Sequence, residues 1–317
     1  MSKWAAFAAF ALAAFALTGC GKEPAKVPER PSPTATIEAQ RTTPAGRTVT
    51  DMANRTVAMP ETVQTVVALS PSAADFASAL GLKIVGRTTD TPASVAPDAK
   101  TVGSALSPDF NAVAALEPDL VIADAAYQSG RTRDFDRFSH PVYVLKAGTY
   151  AEVLAALAAL GTATNRQAEA AAAAAALEAK AATALQAAKA RGGSPKVLIL
   201  TGGGRDVFGG SSATYLGSLL EFLGATNVLG SVADGGPIPG FGVIEVSQAA
   251  TLNPDAVLIL TSGQGGLAAQ IQADKAWAAT PAVRDKRVIE VDTTLFLRSP
   301  GPRAGEALET LLKLLWP

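Results

Sequence analysis

One cysteine and one histidine occur in the 317 residues. A disulfide framework, a zinc cluster or an iron–sulfur site needs several such side chains, so all three are excluded. Charge of one sign is also missing. Lys plus Arg number 27 and Asp plus Glu 28, giving a net charge of −1. Such a chain has no broad basic surface for a nucleic-acid backbone, and no nucleic-acid partner is expected. Signs of catalysis are equally scarce. Gly204, Gly209, Gly210 and Ser211 have P-loop spacing, but Gly210 stands where the phosphate-binding lysine is required. No G-x-S-x-G elbow occurs. The lone His140, just before Pro141, has no activated nucleophile near it in sequence and reads as a surface or capping residue. The chain reads as a non-enzyme with no resident cofactor and no metal site. At about 150 residues per domain, its length suits two domains or one large one.

The N-terminus reads as an address. Lys3 precedes 14 apolar residues, 4–17, a signal-peptide length and short for a membrane span. Leu17-Thr18-Gly19-Cys20 then resembles a bacterial lipobox, in which the chain is cut before Cys20 and the thiol is acylated. Residues 1–19 are thus expected to be a signal peptide. Residues 20–46, with prolines at 24, 28, 31, 33 and 44, form a lipidated, semi-rigid tether. The product is expected outside the cytoplasm, held to the cell envelope through a lipid anchor.

From residue 47 the pattern is globular. A hairpin is expected around Ala53-Asn54. Strands are expected at 65–69, 84–86, 120–123 and 142–145. Helices are expected over 72–80, with Ser72 as N-cap, and over 112–116. Later strands fall at 197–201, 257–260 and 287–291, and helices at about 212–222 and 306–315. The segment 202–211 reads as a glycine-rich loop. Residues 165–193, rich in Ala, Glu, Gln, Lys and Leu, read as one long helix ending at Gly192-Gly193. The sequence also echoes itself. NAVAALEPDLVIA at 111–123 matches SQAATLNPDAVLI at 247–259, and SPSAADFASALG at 70–81 resembles SSATYLGSLLEFLG at 211–224. The expected fold is α/β, with two Rossmann-like lobes, each on a mostly parallel sheet, joined by one long α-helix. The lobes are placed at 47–164 and 193–317, and the linker at 165–192.

These residues, in this order, resemble the periplasmic-binding-protein family of ABC importers for iron–siderophore complexes, haem and cobalamin. The carriers are Asp51 with Arg55-Thr56-Val57, Ile84-Val85-Gly86, Leu116-Glu117-Pro118-Asp119-Leu120-Val121, Glu221-Phe222-Leu223-Gly224-Ala225-Thr226-Asn227 and Pro302-Arg303. The resemblance implies a monomer that takes a metal chelate or corrinoid in a cleft between lobes. A rigid helix limits closure, and a permease with its ATPase receives the cargo. It also implies one docking glutamate per lobe. Glu221 fills the position in the second lobe. In the first lobe the position is Asn111, a departure, with Asp109 near enough to substitute.

Ligands of open α/β sheets gather beyond the carboxyl ends of strands. The expected cargo contacts are therefore Ser70, Ser72, Tyr127, Arg205, Phe208, Phe296 and Arg298, with Ser262-Gly263 on a further candidate loop. Tyr127 and Phe208 would flank a large cargo, and the arginines would meet carboxylates or phosphate. Tyr215 reads equally as packing or as ligand. A siderophore or cobalamin needs no protein ligand on its metal and suits this composition better than haem, which usually takes an axial Tyr or His. A haem-binding relative and a purely structural envelope lipoprotein remain as alternatives.

Overall fold

The computed structural model describes residues 47–135, 138–204, 206–232, 235–236, 238–261 and 266–317. The signal peptide, Cys20, the tether, Arg205 and Ser262-Gly263 lie outside the described residues. No described helix is long and apolar enough to cross a membrane.

The described residues open with the expected hairpin, β1 (Thr48–Thr50) and β2 (Thr56–Ala58). Asp51 builds its turn by accepting from the amides of Ala53 and Arg55 and from Arg55 Nε, while Asn54 takes a φ of 60°. The first lobe follows as β3 (Thr65–Ala68), α1 (Pro71–Ala79), β4 (Lys83–Arg87), β5 (Lys100–Thr101), α2 (Phe110–Ala114), β6 (Leu120–Asp124), α3 (Ala125–Gln128), α4 (Thr132–Phe135) and β7 (Val142–Leu145). The strands form a parallel sheet in the order β5-β4-β3-β6-β7. Parallel strands buried on both faces read as continuous apolar runs, as TVVA, LVIA and VYVL do.

Two helices come next, α5 (Tyr150–Thr164) and α6 (Gln167–Arg191). The long helix was expected, and α5 was not. Its apolar residues are so dense that no single stripe stands out. Asn165, at a φ of 58°, ends α5. A Cβ at Gly161 would collide with that of Ala170, so the two helices meet almost backbone to backbone. At 1.5 Å per residue, the 25 residues of α6 span about 37 Å.

The second lobe runs β8 (Lys196–Gly203), β9 (Asp206–Gly210), α7 (Tyr215–Leu223), β10 (Thr226–Asn227), β11 (Phe241–Val243), α8 (Val246–Ala249), β12 (Ala256–Thr261), α9 (Leu267–Ala273), α10 (Pro281–Arg284), β13 (Val288–Asp292) and α11 (Ala304–Leu315). Its sheet has the order β11-β9-β8-β12-β13, with β10 on β8. The glycine-rich stretch is not a loop. It is an antiparallel hairpin of β8 and β9, extended by β11. Gly202 takes a φ of 99° and lies so close to the Asp206 carbonyl that a Cβ would collide with it. Two cap positions also differ from expectation. Ser70 rather than Ser72 caps α1, because Pro71 supplies the first helical residue. Thr214 caps α7, which therefore begins at Tyr215.

Alternate residues of each sheet face different cores. Val66, Ala68, Leu120, Ile122, Tyr143 and Leu145 of the first sheet share one apolar core with Val197, Ile199, Ala256, Leu258 and Leu260 of the second. The helices α1, α5, α6, α7 and α11 fill that core, contributing Phe76, Leu157, Leu177, Leu220 and Leu308 among others. The opposite faces have separate cores, one in each lobe. The lobes thus rest against a common helical wall, and α6 is one member of it.

Candidate functional site

Parallel strands bring their carboxyl ends to one edge. In the first lobe that edge carries Ser70 after β3, the 88–91 turn after β4, and α3 after β6. In the second lobe it carries the tip of the β8–β9 hairpin and a π-helical turn, Thr294–Arg298, after β13. The two edges meet at Arg298. Its guanidinium stands 4.0 Å from Asp90 of the first lobe, with the side chains 45% and 30% exposed. That leaves the guanidinium partly free toward solvent. Asp90 is held from behind by the Ala105 amide, 2.7 Å from Oδ2. Tyr127, half-buried on α3, lies in the field of Asp124, Arg298 and Asp90. Burial and the Asp124 charge push its hydroxyl well above the usual phenol range, only partly offset by Arg298.

A buried polar frame supports this edge. Asp124 is fully enclosed, and burial raises its pKa to about 6 against the bonds from the Ala126 amide and the Ser70 hydroxyl. Gln128 is buried beside it. Its carbonyl accepts from the Asp124 amide, and its amide donates to the Leu69 and Ala105 carbonyls. This ties the ends of β3 and β6 to the loop that holds Asp90.

The predicted contacts divide accordingly. Tyr127 and Arg298 come together, with Asp90 as the partner that sequence reasoning missed. Its one signal was a polar Thr-Thr-Asp-Thr-Pro run directly after a strand. Ser70 and Ser72 are corrected, because both are 0% exposed and their hydroxyls are spent inside the protein, on Asp124 and on the Pro300 carbonyl. Phe296 is corrected too. At 2% exposed it packs in the shared core, because the π-helical turn rolls it inward while Arg298 faces out. Phe208 is half-buried on β9 against the same core, level with Thr201 and Val243. Tyr215 is also buried there.

The docking candidates lie elsewhere. Glu221 is exposed on α7, next to Phe222, which packs on Tyr150 with ring centroids 4.7 Å apart. Asp109 is the N-cap of α2, accepting from the amides of Asn111 and Ala112. Asn111 is exposed and lines a surface pocket of about 390 Å³ with Phe110, Arg131 and Phe138. His140 precedes β7 at the amino end of the sheet, opposite the cleft edge, with its ring 6.3 Å from that of Phe138. Among the described residues no group of three or more His, Cys, Asp or Glu is placed to hold a metal ion.

A two-lobed α/β body with polar residues collected where the strand ends meet defines a solute-binding architecture. The family model described as "Periplasmic binding protein" matches residues 66–295, and the chain belongs to that family. It is 26% identical to YvrC of Bacillus subtilis, an ABC transporter substrate-binding lipoprotein, over 98% of this chain and 96% of that one. It is 28% identical to FecB of Escherichia coli, an Fe(3+) dicitrate-binding periplasmic protein, over 80% and 85% of the two chains. Among solved structures, the haem-binding protein RhuT of Roseiflexus superposes with a TM-score of 0.68 at 22% identity, covering 80% of this chain and 98% of that one.

Proposed function

We propose that this chain is the lipid-anchored solute-binding component of an ABC importer. It captures an iron–siderophore complex or cobalamin between its lobes and delivers it to a membrane permease and its ATPase. The observation that carries this reading is the Arg298–Asp90 pair beside Tyr127, where the strand ends of both lobes meet. A guanidinium suits carboxylate or phosphate oxygens on a chelate, and a protonated phenol adds a donor. The names of FecB and YvrC support the reading. A cargo that brings its own iron ligands fits this edge better than haem, since the only imidazole of the chain lies at the opposite end of the sheet. The protein works as a monomer at the envelope, with Cys20 as anchor. Glu221 docks one lobe on the permease, and Asn111 with Asp109 marks the docking side of the other.

The test is a thermal-shift panel on the full chain carrying Cys20→Ser, with ferric dicitrate, ferric hydroxamate and catecholate siderophores, cobalamin and haemin. Ligand at a hundredfold excess over its Kd stabilises the native state by about 2.7 kcal/mol. A saturable shift with an iron chelate or cobalamin, weakened about tenfold or more in affinity by Arg298→Ala, is expected. A shift with haemin alone, or with nothing, overturns the cargo assignment.

A further inference from the structure

Arg298 belongs to the second lobe, but the residues that follow it are seated on the first. Ser299, 3% exposed, donates its hydroxyl to Asp75 Oδ2 on α1 at 2.5 Å. Arg303 Nη1 stands 4.0 Å from the same oxygen. Ser72, one turn earlier on α1, donates to the Pro300 carbonyl at 2.7 Å. Gly301 completes the contact. A Cβ placed there would lie 3.6 Å from Phe76 Cε2 and 3.7 Å from Asp75 Cβ. Residues 299–303 therefore ride on one face of α1 through three polar contacts and ordinary van der Waals contact at Gly301.

Asp75 is out of place by the rules of its own helix. Its neighbours Ala73, Ala74, Phe76 and Ala77 are all 0% exposed, and Asp75 itself is only 6% exposed. A carboxylate so enclosed costs stability unless it is paired and hydrogen-bonded. Its partners, Ser299 and Arg303, both come from the other lobe. Among the described residues, no hydrogen bond or ion pair from the first lobe reaches the Asp75 carboxylate.

We propose that Asp75 is a positioning residue for cargo recognition: through Ser299 and Arg303 it pins residues 299–303 to the first lobe and so fixes Arg298 opposite Asp90 and Tyr127. The idea rests on the reading of Arg298 as a cargo contact. It extends that reading by making the cleft geometry depend on a clasp outside the cleft. The arginine presented by one lobe is aimed by the other.

The experiment reads the clasp without cargo. Spin labels are placed at the exposed Asp98 and Lys275, one in each lobe, through Asp98→Cys and Lys275→Cys in the full chain carrying Cys20→Ser. Pulsed electron–electron distances are then compared. The otherwise native chain should give one narrow distance. Ser299→Ala loses a hydrogen bond to a charged group and Asp75→Asn loses the charge that Arg303 faces, so each should raise any minor, displaced population, by about tenfold for Ser299→Ala, and broaden or split the distribution. Ser299→Thr keeps the hydroxyl and should restore the narrow distance, which a general loss of packing would not do. An unchanged distribution in both Asp75→Asn and Ser299→Ala overturns the clasp, and the serine pair decides the matter if Asp75→Asn fails to fold. Ferric dicitrate and cobalamin titrations on the same proteins form the second arm, in which weaker binding by Ser299→Ala, recovered in Ser299→Thr, supports the positioning role. If neither the iron chelates nor the cobalamin of the thermal-shift panel binds the unlabelled parent chain, the role given to Arg298 is overturned, while the distances still report whether the clasp exists.

Discussion

The two lobes are built on one skeleton and finished differently. In each, a short helix ends at a non-glycine residue with positive φ, Glu117 at 45° and Asn253 at 47°, followed by Pro-Asp and a buried strand. In each, the Asp clamps the start of the neighbouring strand. The Asp119 amide donates to the Thr65 carbonyl, and its carboxylate accepts from the amides of Gln64 and Thr65 and from the Thr65 hydroxyl. Asp255 does the same for Lys196 with a single side-chain bond. Gly81 and Gly224 close the paired helices α1 and α7 at φ of 65° and 86°. The difference lies on the far side of the first strand of each sheet. The first lobe continues outward through parallel β4 and β5. The second shrinks the equivalent of β4 to two residues, β10, and fills the space with the antiparallel β9 and β11. The shared parts build the sheets, while the divergent part delivers a hairpin tip to the edge where the strand ends gather. Sheet construction and the shape of that edge are thus separable.

The sharpest way to break the comparison is through the core that the lobes share. Leu177→Ala or Leu308→Ala empties a site in the helical wall and should cost about 2–5 kcal/mol. Calorimetry of these variants should still show one transition, because both sheets lean on that wall. Two resolved transitions would mean that the lobes hold themselves up separately. Next come the paired aspartates. Asp119→Ala leaves three donors without their acceptor and should cost about 2–3 kcal/mol, against about 1 kcal/mol for Asp255→Ala, by urea unfolding. Equal losses would show that the extra bonds of the first lobe contribute nothing.

A third test uses pH. Among the described residues, Asp124 has no buried carboxylate counterpart at the edge of the second lobe. Its folded pKa of about 6 lies above the ordinary 3.8, so the native state binds this proton more readily than the unfolded chain. Its contribution therefore falls as pH rises between those values and is level above about 6, a change on the order of 1–3 kcal/mol. Asp124→Asn should flatten that part of the stability–pH curve. Burial also raises Asp75, despite the Ser299 bond and the Arg303 charge, so a weaker slope of the same sign should survive in the variant. The smallest effect on the purified protein belongs to Glu221→Arg. Cargo affinity and melting temperature should not move, since the side chain is exposed, while uptake in vesicles reconstituted with permease and ATPase should drop. Unchanged uptake would remove Glu221 from docking.

The skeleton was legible in the sequence because its signals are local. The Pro-Asp echo, the buried strand runs and the alanine-rich helix each declare themselves within about a dozen residues. What escaped depends on the third dimension. Helix α5 was hidden because residues 150–164 are apolar nearly all round, which is what a helix inside a wall requires and what a periodicity search discards. The β8–β9 hairpin was read as a loop because its glycines make room for close backbone approach and not for flexibility. The strand-end rule located Tyr127 and Arg298 at the edge where the two lobes meet. The same rule overcounted Ser70, Ser72 and Phe296, since it locates a loop but does not say which side chains turn inward. Asp75 and Ser299 lie 224 residues apart in sequence and meet only because α1 and the turn after β13 pack together.

The common wall also bears on kinetics. Two bodies joined by a thin hinge trap a solute by swinging shut, and its lifetime is then the lifetime of the shut state. Here a full swing would have to tear a continuous apolar core, so the lobes are left only the small displacements that the 299–303 clasp restrains. On the reading proposed above, the cleft is preformed, and solute escapes by breaking a few ionic contacts at its rim. The escape rate should then quicken with ionic strength, because exposed charges are screened over a Debye length of about 8 Å at physiological salt. Retention would be a matter of chemistry at the mouth, with little help from mechanical closure.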